Sequence, residues 1–180
     1  QSFANVDGGS VSSSITVRLL GTGTFGSFQR NMNNGSATNL YRDGGQNAKS
    51  IASQIEATEA ELRKNGSANA VAVASRLQAA REAFLDVVNF MASTSNPNAV
   101  YAGSVPYLML AGNLMAGWQM ARALLVAQQQ LAAGVDAAFM QAKITTARFY
   151  ADHLLTKAPG LRNSIVEGAE SVTALALEAF

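Results

Sequence analysis

From residue 43 to the C-terminus the apolar positions recur every three or four residues, which is the period of a helix lying on a core. Ala48, Ile51, Ile55, Thr58 and Leu62 mark a first helix from Asp43 to Lys64. Val73, Leu77, Ala80, Phe84, Val87 and Met91 mark a second, from Ala68 to Ser93. A third, Val105 to Ala133, carries two stripes. Leu108, Ala111, Met115, Trp118, Arg122 and Leu125 form the bulky one; Met109, Gly112, Ala116, Met120, Ala123 and Ala127 form the narrow one. A helix apolar on two sides is expected to be buried on two sides, so this one is predicted to organise the rest. Phe139, Ile144, Ala147, Tyr150, Ala151 and Leu154 define a fourth helix, followed by a short helix around Arg162–Glu167 and a packed tail to Phe180.

Polar punctuation separates these runs. Asp43 with Gln46 reads as a capping box, and Asn65-Gly66-Ser67 supplies a left-handed stop followed by a new cap. Thr94-Ser95-Asn96-Pro97-Asn98 is predicted to break the second helix. Ser104 is the expected cap of the third, with Pro106 tolerated in its first turn. Gly134 ends that helix, Asp136 caps the fourth, and Lys157-Ala158-Pro159-Gly160 is expected to stop it. Short connections between periodic helices predict an all-α fold, an antiparallel four-helix bundle over residues 39–180 with a packed C-terminal tail.

Residues 1–38 differ. They are rich in Gly, Ser, Thr and Asn, with one alternating run, Ser14 to Leu20, that reads as a strand. Gly21, Gly23 and Gly26 then satisfy G-x-G-x-x-G, and Asp43 stands near where a ribose-binding acid would fall, so a nicotinamide nucleotide is the cofactor these positions could take. The context argues against that site. No further strands follow, and Ser27–Asn34 is short and turn-like. The expectation is therefore a glycine-rich lead without a bound cofactor.

Composition narrows the function. Hydrophobic residues make up 48% of the 180 and charged residues 14%, so much of the surface is suited to face another protein. Thirteen basic residues against twelve acidic ones leave a net charge of +1, which gives no case for nucleic acid. The absence of cysteine excludes disulfides and thiolate metal sites and fits the cytoplasm. No secretory signal is visible after Gln1, and the missing initiator Met suggests a processed or partial chain. Ala99 to Ala121 is uncharged, but Pro106, Asn113, Gln119, three glycines and the lack of flanking charge argue for a buried helix rather than a membrane span.

Candidate chemistry is sparse. The single His153 lies near the end of the fourth helix beside Lys157, where cations complement the helix dipole, and Glu-x-x-His metal pairs do not occur. No metal site and no catalytic residue are expected. Glu56, Glu59 and Glu61, next to Arg63 and Lys64, read as a solvated face with local ion pairs. Arg122 is the sharper case, being the only charge between Asp86 and Asp136. A buried guanidinium without a carboxylate is too costly, so a structural pair with Asp86, Glu82 or Asp152 is predicted.

Three blocks carry a resemblance: Gly117-Trp118-Gln119-Met120-Ala121-Arg122, then Ala142 through Leu155 (Ala-Lys-Ile-Thr-Thr-Ala-Arg-Phe-Tyr-Ala-Asp-His-Leu-Leu), then Glu167-Gly168-Ala169-Glu170-Ser171-Val172 to Phe180. Together with Tyr41-Arg42-Asp43-Gly44-Gly45, they resemble the C-terminal helical domain of acyl-CoA dehydrogenases of the methylthiopropionyl-CoA dehydrogenase-like branch. That resemblance implies a parent flavoenzyme of fatty acid metabolism that uses FAD to dehydrogenate the Cα–Cβ bond of an acyl-CoA, with a glutamate as base. The family's glutamate lies in a Tyr-Glu-Gly-Thr-like segment upstream. Here Gln29 to Gly35 holds no acid, so no catalytic residue carries over. The resemblance implies an accessory domain, inactive alone, whose partners are the flavin domain or a second subunit and which meets acyl-CoA only through the parent. A free-standing helical interaction module is the alternative.

Overall fold

Gly66 sets the first corner. Its φ of 74° is the left-handed conformation that only glycine adopts without strain, and its N–H returns to Leu62 O. Ser67 then accepts from Ala70 N at 3.2 Å, starting the next helix one residue later. This turn joins α1, Gln46–Asn65, to α2, Ala68–Ser93. The computed structural model describes residues 44–175 and residue 179, so the expected strand at 14–20, Gly21, Gly23, Gly26 and Asp43, and most of the terminal tail lie outside the described residues. At the start of α1 the cap is Gly45, which brings no side chain to bond the first N–H groups.

After α2 the order is α3, Pro97–Ala102; α4, Ser104–Ala132; α5, Ala137–His153; a 3-10 turn, Leu155–Lys157; α6, Ala158–Val166; and a second 3-10 turn, Glu170–Thr173. The described residues are all helical, without strands. Both α2 and α4 pack against α1, α5 and α6 as well as against each other. α2 is the element enclosed on several sides: Val73, Leu77, Ala80, Phe84, Val87 and Met91 are all buried, and so are Ala74, Arg81 and Val88 around the helix. The ring of Phe84 stacks on Tyr107 of α4 with centroids 5.9 Å apart.

α4 corrects the expectation of two buried sides. Its buried face is Tyr107, Leu110, Ala111, Leu114, Met115, Trp118, Ala121, Leu124 and Ala127. Of the two sequence stripes, Ala111, Met115, Trp118 and Ala127 belong to that face. Leu108, Met109 and Gly112 are exposed. Apolar composition runs on both sides, and among the described residues only one side is fully covered.

α2 ends at Ser93, as the expected break at Thr94–Asn98 requires, and the same segment also begins a helix. Asn96 accepts from Asn98 N, and Pro97 occupies the first turn of α3, where a missing N–H costs nothing. Pro159 lies inside the first turn of α6 for the same reason, followed by Gly160. Gly103, not Ser104, precedes α4; the Ser104 hydroxyl donates to Tyr101 O at 2.8 Å instead. Asp136 does cap α5, accepting from Phe139 N at 3.2 Å. Among the described residues no helix is long and apolar enough to cross a membrane.

Candidate functional site

The polar centre of the molecule is built from three helices. On α1, Ala52, Ile55, Glu59 and Leu62 share the buried face, so one carboxylate is carried into the core. On α2, Leu77, Arg81, Phe84 and Val88 do the same with one guanidinium. Glu59 is 1% exposed and Arg81 8%. They meet as a fork: Arg81 Nε donates to Glu59 Oε1 at 2.8 Å and Nη2 to Oε2 at 3.0 Å. Such a bidentate pair satisfies both carboxylate oxygens and sets the register of α1 on α2. Glu56 adds a second acid at 3.8 Å from its exposed position. The hydrogen bond to Glu59 holds the Arg81 guanidinium even further above its ordinary value, against the opposing effect of burial.

At Thr58, the residue before Glu59, α4 joins the cluster. Trp118 Nε1 donates to Thr58 Oγ1 at 2.8 Å, and the Thr58 hydroxyl donates back to Gln54 O at 3.3 Å. Both groups are thereby satisfied within the core. Arg122 lies over the Trp118 ring, 5.7 Å from its centroid, and donates to Gln119 Oε1 at 3.2 Å. The acids expected to meet Arg122 have other partners. Asp86 faces Arg162 of α6 at 3.4 Å, Glu82 accepts from Gln78 at 2.7 Å, and Asp152 accepts from Arg148 at 2.6 Å with Arg76 of α2 at 3.6 Å. Arg122 is half-buried rather than enclosed, so a ring face and an amide are enough for it. Among the described residues the buried ion pair is that of Arg81 with Glu59.

Glu59 is the residue that the expected solvated face conceals. Its neighbours Glu56 and Glu61 are exposed as expected, but the buried positions of α1 recur through Glu59. A charge on the apolar face of each of two consecutive helices was the available signal.

Elsewhere, the Asp152 carboxyl is held below the usual range, first by the hydrogen bond from Arg148 and then by the nearby charges of Arg148 and Arg76. Burial pushes the Tyr150 hydroxyl up, and that hydroxyl donates to Asn113 O of α4 at 3.3 Å. His153 packs on Phe149 with centroids 4.4 Å apart. Among the described residues no three His, Cys, Asp or Glu side chains are grouped as a metal site. The buried acid and hydroxyl of this centre are committed to Arg81, Trp118 and Gln54, contacts that join α1 to α2 and to α4.

Sequence comparison identifies the unit so built. Residues 51–176 match the family described as acetyl-CoA dehydrogenase C-terminal like. The chain belongs to that family. It is also 44% identical, over 140 residues, to the 3-methylmercaptopropionyl-CoA dehydrogenase of Ruegeria pomeroyi. The match takes in 77% of this chain and 24% of that enzyme. The chain thus spans about a quarter of the length of this relative, and it corresponds to the C-terminal helical domain of that acyl-CoA dehydrogenase branch.

Proposed function

We propose that this chain is the accessory C-terminal helical domain of an acyl-CoA dehydrogenase-like flavoenzyme, contributing packing and contact rather than chemistry. The observation that carries the reading is the family match over residues 51–176. The polar centre supports it, because its ionisable groups are consumed by contacts between α1, α2 and α4. In the parent enzyme FAD would accept the hydrogens removed from Cα and Cβ of the acyl-CoA. Glu59 with Arg81 and Thr58 with Trp118 satisfy one another, so this polar centre leaves no donor set for a flavin ring or its pyrophosphate. FAD and acyl-CoA are accordingly assigned to the remainder of the parent.

The helices of this reading are arranged as an antiparallel four-helix bundle of α1, α2, α4 and α5, closed by α6, and the domain is placed in the cytoplasm on its lack of cysteine. An absorbance titration of the purified chain with FAD tests the proposal. The expected result is an unperturbed free-flavin spectrum. A stoichiometric, shifted flavin band would overturn it.

A further inference from the structure

Asn65 is the last residue of α1, exposed among the described residues, and Gly66 follows it with a φ of 74°. The Asn65 side chain curls back on the turn: its Oδ1 accepts from Ser67 N at 3.2 Å, two residues on. That bond folds the amide carbon over the peptide unit that begins at Gly66 N. Gly66 brings no Cβ to shield its own nitrogen. Its N–H reaches Leu62 O over 3.4 Å, long for a helix bond, so the ladder holds this nitrogen weakly. The Ser67 N–H points at Oδ1, the atom that takes up negative charge when the amide carbon is attacked. A nucleophile and an electrophile on adjacent residues need no diffusion to meet.

We propose that Asn65 is a site of spontaneous covalent modification, in which the chain's own backbone displaces the side-chain amide. The Gly66 nitrogen loses its proton to water and bonds to Asn65 Cγ. The Cγ–Nδ2 bond breaks, Nδ2 leaves as ammonia, and a cyclic imide remains. Water then opens the imide at either carbonyl. Opening at Cγ restores the ordinary backbone with aspartate at position 65; opening at the backbone carbonyl leaves isoaspartate, with the main chain routed through Cβ. One water enters and one ammonia leaves on either route, so no oxidant or reductant is required. The corner between α1 and α2 carries the consequence. Isoaspartate adds a methylene to the main chain just where Ser67 Oγ, accepting from Ala70 N and from Gln128 Nε2, ties the turn to α2 and α4. Aspartate keeps the main-chain length, and its carboxylate still accepts from Ser67 N.

Incubation of the whole purified chain at mildly alkaline pH, read by peptide mapping and mass spectrometry, follows the reaction. The expected result is replacement of NH2 by OH at Asn65 ahead of Asn69, Asn89, Asn98 and Asn113, none of which precedes a glycine. The product peptides are expected to include isoaspartate, separated by chromatography from a synthetic aspartate standard. Asn65→Gln, whose longer side chain cannot close the same ring, is expected to leave this corner unchanged over the same time. The separated isoaspartate form should melt below both the fresh chain and Asn65→Asp, because it alone lengthens the backbone at the turn. Conversion of Asn65 no faster than that of Asn69, or an isoaspartate form that melts with the fresh chain, would overturn the proposal. Either result leaves the flavoenzyme reading standing, because that reading is tested by flavin and not by the state of Asn65.

Discussion

Glu59 and Arg81 are the residues on which the interior depends most. A buried ion pair is weak evidence of net stability, since desolvation opposes the attraction, but removing one partner strands the other. Glu59→Ala and Arg81→Ala are each expected to cost about 3–5 kcal/mol in urea unfolding. Replacing both with apolar residues of similar size is expected to recover most of that loss. Equal, additive losses in the double variant would show that the two side chains act separately. Trp118→Phe keeps the ring and removes the donor to Thr58; it should cost about 1–2 kcal/mol.

Asp152 gives the pH dependence. Its native value lies below the ordinary 3.8, so it binds protons less readily folded than unfolded. Its contribution is therefore full above the unfolded value and is lost as pH falls through the lowered native one. Unfolding curves from about pH 5 down to about pH 2 should show a smaller acid decline for Asp152→Asn than for the parent chain. An identical decline would remove Asp152 from the account. The general position of these charges was readable from the sequence, but their pairing was not. Arg122 drew attention because it stands alone in a long uncharged stretch, whereas depth is set by helix phase, and phase puts Arg81 inside and Arg122 at the edge.

At the scale of elements, two glycines on α4, Gly112 and Gly117, behave oppositely. A Cβ on Gly117 would stand 2.5 Å from Leu155 Cδ2, where the 3-10 turn presses on the helix. Gly117→Ala is expected to cost about 1–3 kcal/mol through displaced packing. Gly112 faces open space, so Gly112→Ala should gain about 0.5–1 kcal/mol from helix propensity alone. Thermal unfolding of the pair distinguishes them, and a shared sign would contradict the placement of α4. The four long helices were legible because their period, stops and caps agree, as at Asn65-Gly66-Ser67 and Asp136. The short helix α3 was not, and α6, expected around Arg162–Glu167, begins earlier, at Ala158. Pro97 and Pro159 read as interruptions, but proline is disfavoured only in the interior of a helix and suits its first turn. The second face of α4 differs from expectation for a related reason: composition tells which surfaces avoid water, not which of them the described helices cover.

At the scale of the molecule, the family and the fold point the same way. A helical unit matching 24% of a 3-methylmercaptopropionyl-CoA dehydrogenase buries Glu59 against Arg81, and among the described residues Val105, Met109 and Val126 of α4 are exposed. The Ala142–Leu155 block carries its resemblance in the residues alone, and the family match over 51–176 includes it. The commitment of Glu59 is of another kind: it depends on two helices meeting, which no single segment of sequence displays. The account's central claim is that the chemistry lies outside this chain. Acyl-CoA-dependent reduction of an artificial electron acceptor, measured with the purified 180-residue chain supplied with FAD, tests it most directly. The account predicts a rate equal to that of FAD and acyl-CoA without protein; turnover proportional to the concentration of the chain would contradict it.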